Sequence, residues 1–226
     1  MKLLVTSFIS ALYPPLCLHC QEGLLHPDCQ LCELCLSLIE FLDPHERCPR
    51  CFSLDYSIKL KKCMGCREAA HPFSGIGAAF DYVGPAATLV KKVKYGGQAF
   101  LAKTLAAYLV AQFSRLNWPM PDIVIPVPIA FDRMIQRGYN QSELISQKFA
   151  SLLDCPCENH LERLFGDYSQ VGLSHHQRKQ LGSARFRLKR NVRIKDQTVL
   201  VIDDVTTTGK TLEQCGRALL GGYPKR

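Results

Sequence analysis

No stretch of this 226-residue chain is long and apolar enough to be read as a membrane span, which argues against membrane insertion. No G-x-x-x-x-G-K-[ST] run is present either, so a P-loop nucleotide site is excluded. The apolar N-terminus, MKLLVTSFISALYPPLC, lacks a small-x-small cleavage site and runs straight into cysteines. It therefore reads as an amphipathic leader packed on the fold rather than a signal peptide. No internal repeat is found beyond the cysteine pairs.

Two scarcities divide the chain. Residues 1–70 lack any basic excess, with 7 Lys+Arg against 8 Asp+Glu, whereas residues 71–226 hold 21 against 12. Acids are nearly missing from 163–195, where nine basic residues stand against Asp167 alone. Such an excess suits a polyphosphate, a nucleic acid or simply a solvated face. Cysteine is scarce after residue 66, because nine of the 12 lie before residue 67. Clustered Cys-x-x-Cys pairs favour metal over disulfides, and the chain reads as cytoplasmic.

Four such pairs are present: Cys17/Cys20, Cys32/Cys35, Cys48/Cys51 and Cys63/Cys66. Two pairs close one tetrahedral four-sulfur site, so eight cysteines imply two zinc ions, structural because no coordination position stays open. Iron–sulfur clusters are the alternative. Consecutive pairing is favoured, crossed pairing stays open, and Cys29 competes as a ligand for the first site. A segment this short buries little core and needs such cages. The expected organisation is a small Cys-rich domain over 1–70, a linker at His71–Gly75, and a larger domain over 71–226.

In the larger domain, Gly77–Tyr82 alternates like a strand, and 86–94 reads as a short helix ended by Gly96-Gly97. Leu101, Leu105, Leu109, Phe113 and Leu116 predict an amphipathic helix over 98–116. Asp122–Pro128 and Val199–Ile202 read as buried parallel strands, 141–153 and 209–220 as helices, and 154–190 as a long loop with short elements. Strands alternating with helices predict an α/β fold with a mainly parallel sheet.

The chemistry concentrates in VLVIDDVTTTGKT, residues 199–211. A strand ends in Asp203-Asp204, and a turn of Thr206, Thr207, Thr208 and Gly209 leads through Lys210 and Thr211 into a helix. Ligands of open α/β sheets sit beyond the carboxyl ends of strands. Hydroxyls and N–H groups at a helix start suit a phosphate, and paired carboxylates can accept hydrogen bonds from ribose hydroxyls. A generic strand–turn–helix with capping threonines is the plainer alternative.

This segment resembles the phosphoribosyl pyrophosphate (PRPP) loop of type I phosphoribosyltransferases. The whole chain resembles the ComF family, which joins a double zinc ribbon to such a domain. The likeness rests on the Tyr-Pro-Pro leader, the four cysteine pairs, Lys92–Gly96, Ile125–Pro128, Arg133-x-x-x-Arg137 with Gly138-Tyr139-Asn140-Gln141, Gln170–Ser174 with Arg178, and the phosphate loop. It implies a type I phosphoribosyltransferase-like α/β fold. It places Asp203 and Asp204 at the ribose, the 206–211 loop on the 5′-phosphate, and Pro126, Val127 and Pro128 at the pyrophosphate. Arg133, Arg137, Lys94 and Arg178 would face anionic oxygens, Arg178 from a closing flap, with Mg²⁺ accompanying PRPP. It also permits another role, a non-catalytic competence protein binding single-stranded DNA or sensing PRPP; the near-neutral charge of residues 1–70 favours protein docking through the zinc ribbon. Two departures stand out. Leu181 occupies a position where the family usually has Asn, and the last strand of the sheet is expected to be missing.

Overall fold

A computed structural model describes residues 14–59, 62–67, 71–164 and 185–226. The cysteine-rich segment contributes helix α1 (Glu33–Ser37), the two-residue strands β1 (Tyr56–Ser57) and β2 (Lys62–Cys63), and α2 (Met64–Arg67). β1 and β2 pair antiparallel, with Tyr56 opposite Cys63. These elements are too short to hold themselves together, and they converge on the cysteine sulfurs.

Helix α3 (Gly84–Tyr95) carries Pro85 in its first turn, where the missing N–H costs nothing. Its apolar face recurs at Ala86, Leu89, Val90 and Val93, all buried. The helix stops at Gly96, and Gly97 takes a φ of +65°, a turn that glycine adopts without strain. The predicted 98–116 helix is a 3-10 turn (Ala99–Leu101) followed by α4 (Ala102–Arg115).

β3 (Ile123–Pro126) and β6 (Val199–Ile202) pair parallel, with Ile123 opposite Val199 and Pro126 opposite Ile202. Between them in sequence come α5 (Phe131–Arg137), α6 (Gln141–Leu152), and an antiparallel pair of β4 (Leu161–Arg163) and β5 (Phe186–Leu188). Helix α7 (Lys210–Leu220) follows β6. The mixed α/β class with a parallel sheet is as expected. Residues 77–82 form no strand, contrary to the alternating pattern. They are a covering strip: Ala79 accepts a backbone bond from Leu42, and a Cβ on Gly77 would come within 2.6 Å of Leu116. Close packing there, rather than a ladder, sets the small–large alternation.

The sheet separates two cores. Val124 and Ile202 face one with Leu89, Leu105, Phe113 and Phe149, where the Phe113 and Phe149 rings meet edge to face at 5.7 Å. Ile123, Ile125 and Val127 face the other with Leu161, Phe186, Cys215 and Leu219. Phe149 is 2% exposed. Phe149→Ala is expected to cost about 3–5 kcal/mol, read from the midpoint of denaturant unfolding. β3 is fully buried while Val199, Leu200 and Val201 of β6 are half-buried, because the far edge of β6 borders a groove of about 870 Å³. At its start β6 is flanked by residues 223–226, through Asp196 N–H to Tyr223 and Val199 N–H to Arg226.

Candidate functional site

The carboxyl end of β6 delivers Asp203 and Asp204 to one end of that groove. Asp203 Oδ1 accepts from Ser142 Oγ at 2.9 Å and from the Asp204 N–H at 2.9 Å. Asp204 Oδ2 accepts from Gln141 Nε2 at 3.1 Å and pairs with Lys94 Nζ at 3.1 Å. Burial, then the adjacent Asp204 charge, push the Asp203 carboxyl up to about 6, against the opposing pull of the Ser142 hydrogen bond. Between its ordinary 3.8 and about 6 the folded chain thus holds a proton that the unfolded chain has released. Stability contributed by this group falls as pH rises through that window. Asp203→Asn is expected to flatten this slope, read as unfolding midpoint against pH.

Beyond the acids, the chain turns through Thr206, Thr207 and Thr208, all exposed. Among the described residues, no side chain satisfies their hydroxyls. Gly209 closes the turn at φ +70°, the left-handed geometry glycine favours, and caps α7 without a side-chain bond. Lys210 and Thr211 begin the helix, exposed. Hydroxyls and first-turn N–H groups therefore stand free where β6 meets α7.

The other segments of the sequence-based site divide. Pro126 ends β3, and Val127 donates its N–H to Ile202 at 3.0 Å, which holds the Val127–Pro128 turn against the end of β6. Lys94, in the last turn of α3, lies on the acid pair. Arg133 is exposed on α5. Arg137 stacks over Tyr95 at 4.9 Å, and its Nε and Nη1 are buried without a partner among the described residues. Arg178 lies outside the described residues, as do Gln170 and Leu181.

Sequence reasoning missed four residues whose side chains meet these segments. Tyr139 donates its hydroxyl to the Val93 carbonyl, on Lys94's own helix. Asn140 caps α6 by accepting from the Ser142 N–H, and its Nδ2 donates to the Val127 carbonyl at 3.0 Å. Gln141 and Ser142 reach the two acids. In the sequence the run Arg137–Gln141 stands out as a motif, but only its arginine suggests chemistry; a neutral hydrogen-bonding role leaves no charge or spacing to read.

The cysteines form two groups, Cys17, Cys20, Cys32 and Cys35, and Cys48, Cys51, Cys63 and Cys66, with all sulfurs of a group within 4.8 Å of one another. This is consecutive pairing, with Cys29 outside both groups. Burial raises the Cys17 thiol, but backbone N–H groups of Cys20, Cys32 and His19 outweigh it and bring it down to about 6. In the second group the same balance brings Cys48 to about 7. Each cage thus offers a ready thiolate, the form that ligates metal. Four converging sulfurs suit one tetrahedral ion each. Among the described residues, no helix is long and apolar enough to cross a membrane.

No family model matches the chain. It is 27% identical over 212 residues to the DNA utilization protein YhgH of Salmonella typhi, covering 92% of this chain and 91% of that one. It is 27% identical over 202 residues to competence protein ComFC of Streptococcus pneumoniae, covering 87% and 84%. Among solved structures, a glutamine PRPP amidotransferase from B. subtilis, complexed with ADP and GMP, aligns at a TM-score of 0.44 and 17% identity over 61% of this chain and 29% of that one. Competence protein F of Haemophilus influenzae is 30% identical over 209 residues, 90% of each chain, and on that likeness this chain belongs to the competence protein F (ComF) family.

Proposed function

We propose that the chain binds PRPP with Mg²⁺ at residues 203–211 and transfers its phosphoribosyl group to an acceptor. One observation carries the reading: a buried, braced acid pair at the carboxyl end of a parallel strand, directly followed by free threonine hydroxyls and an uncapped helix start. The ribose C1–oxygen bond to pyrophosphate breaks, pyrophosphate leaves with the electron pair, and the acceptor's nucleophilic atom bonds to C1. Asp203 and Asp204 accept hydrogen bonds from the ribose hydroxyls and lie near the positive charge that develops on the sugar. Thr206, Thr207, Thr208 and Thr211, with the N–H groups of Gly209 and Lys210, hold the 5′-phosphate. The turn at Pro126, Val127 and Pro128 borders the pyrophosphate. Arg137, whose unpaired guanidinium nitrogens need an anion, binds its oxygens together with Arg133 and Arg178. Mg²⁺, a hard cation, neutralises pyrophosphate and ribose oxygens when bound. Zinc occupies the two cysteine cages as a structural ion, in the reducing cytoplasm.

The test is calorimetry of Mg²⁺·PRPP binding to the native protein and to Asp203→Asn/Asp204→Asn. Loss of the charge-assisted hydrogen bonds is expected to weaken binding on the order of a hundredfold. Equal affinity of the two proteins sinks the proposal.

A second reading, single-stranded DNA binding, is favoured by exposed Arg185, Lys189, Arg190, Arg193 and Lys195 following one another near β5. It predicts an affinity for an oligonucleotide that falls steeply with salt; a flat salt response rules it out.

A further inference from the structure

We propose that Tyr139, Asn140, Gln141 and Ser142 are positioning residues that hold the two ends of the ligand site in register. The inference rests on the PRPP reading above and deepens it. Three segments of the site come from distant parts of the chain: the end of α3 with Lys94, the Val127–Pro128 turn after β3, and the acid pair after β6. None of them bonds to all the others. The single turn entering α6 reaches each one: Tyr139 to the Val93 carbonyl, Asn140 to the Val127 carbonyl, Gln141 to Asp204 and Ser142 to Asp203.

The turn is itself fixed. Asn140, Gln141 and Ser142 are 6%, 5% and 2% exposed, too buried for side chains that merely solvate a helix start. An unpaired buried donor is costly, and the donors here are all paired inside the protein: Asn140 Nδ2, Gln141 Nε2 and Ser142 Oγ, while Gln141 Oε1 has no partner among the described residues. Asn140 spends both ends of its amide, the oxygen on the Ser142 N–H and the nitrogen on the Val127 carbonyl. This one side chain sets the start of α6 and ties the proposed pyrophosphate turn to it. Ser142, two residues on, fixes the carboxylate at the proposed ribose end. Register between the two ends of a ligand therefore passes through two adjacent hydrogen bonds.

The consequence is specific to a ligand that spans both ends. A molecule bound at two points gains affinity over its fragments only if the points keep their spacing. Disturbing the turn penalises the whole ligand and leaves each fragment nearly untouched.

Two variants separate this role from helix stability. Asn140→Ser keeps an N-cap oxygen and loses the reach to Val127. Ser142→Ala removes the hydroxyl on Asp203, and Ser142→Thr restores one. Binding of Mg²⁺·PRPP, Mg²⁺·pyrophosphate and ribose 5-phosphate is measured for each full-length protein, with the thermal midpoint alongside. Asn140→Ser and Ser142→Ala are expected to lose roughly tenfold or more for PRPP and less than about twofold for either fragment. Ser142→Thr recovers most of the loss, and affinities are compared below the midpoint of each variant, because each removed bond also lowers stability somewhat. Native PRPP affinity in Asn140→Ser, or equal proportional loss for whole ligand and fragments, overturns the proposal. A native protein that does not bind PRPP overturns the ligand reading instead, before any variant is compared.

Discussion

Cys35→Ser is expected to unfold more than the first cysteine cage, lowering the thermal midpoint by about 10 °C or more. The reason is where that cage sits. Cys17, Leu31 and Cys35 are 0%, 8% and 3% exposed and share one apolar cluster with Leu89, Val90 and Leu105 of α3 and α4. His19 Nδ1 meets the Thr88 hydroxyl at 2.8 Å, and Thr104 donates to Gln30 at 2.7 Å, so the knuckle is stapled to both helices. A four-sulfur zinc site supplies folding free energy outright, and its loss leaves that part of the core without a lid. The second cage lies outside both apolar clusters and is tied on by Arg47 to Asp81 at 3.6 Å with Asp81 largely exposed, by the Leu42 N–H to the Ala79 carbonyl, and by Gln112 to the Leu42 carbonyl. Surface ion pairs of that kind contribute little. Cys66→Ser should therefore lower the midpoint less, although each variant loses one equivalent of metal. Differential scanning calorimetry with elemental analysis checks both statements. Equal shifts would refute the asymmetry, and iron in place of zinc would refute the metal assignment.

The same asymmetry shows why some of the molecule could be read from sequence and some could not. Cysteine spacing is a local property, so both cages were legible, and the structure selects consecutive pairing from the two left open. Ile123–Pro126 and Val199–Ile202 were legible because a buried parallel strand has no solvent face and reads as an unbroken apolar run. Helix α5 gives no periodic signal because none of its residues is buried. The three-residue strands β4 and β5 are too short to show a period. The strip 77–82 imitated a strand because Gly77 is required where it meets Leu116 and Trp118. In the site, the threonine loop announced itself through local chemistry. The bonds that hold the acids did not, since Tyr139 reaches back 46 residues and Gln141 and Ser142 reach forward 63 and 61. Lys94 was assigned to the ligand by resemblance, and its pairing with Asp204 came only with the fold.

That pairing permits a test in which stability and ligand binding separate. The side chains of Lys94 and Asp204 are 16% and 6% exposed, so each neutralises a charge the other could not bury alone. Removing either partner strands the other, at about 3–5 kcal/mol for a buried pair. Lys94→Met leaves Asp204 beside the Asp203 carboxyl, and Asp204→Asn leaves the ammonium an amide in place of its partner, with only the neighbouring Asp203 carboxyl left to offset it. The double variant Lys94→Met/Asp204→Asn strands neither charge, and is expected to recover stability to within about 1 kcal/mol of native. PRPP affinity should not recover with it, because the proposed ribose hydroxyls need the carboxylate that asparagine lacks. Urea unfolding and calorimetry on the four proteins of the cycle give the two coupling energies directly. A double variant that regained both stability and PRPP binding would make Asp204 a structural partner of Lys94 and remove it from the ligand site. Regained stability with lost affinity would leave Lys94 as the brace that keeps a ligand-facing carboxylate charged in a buried place.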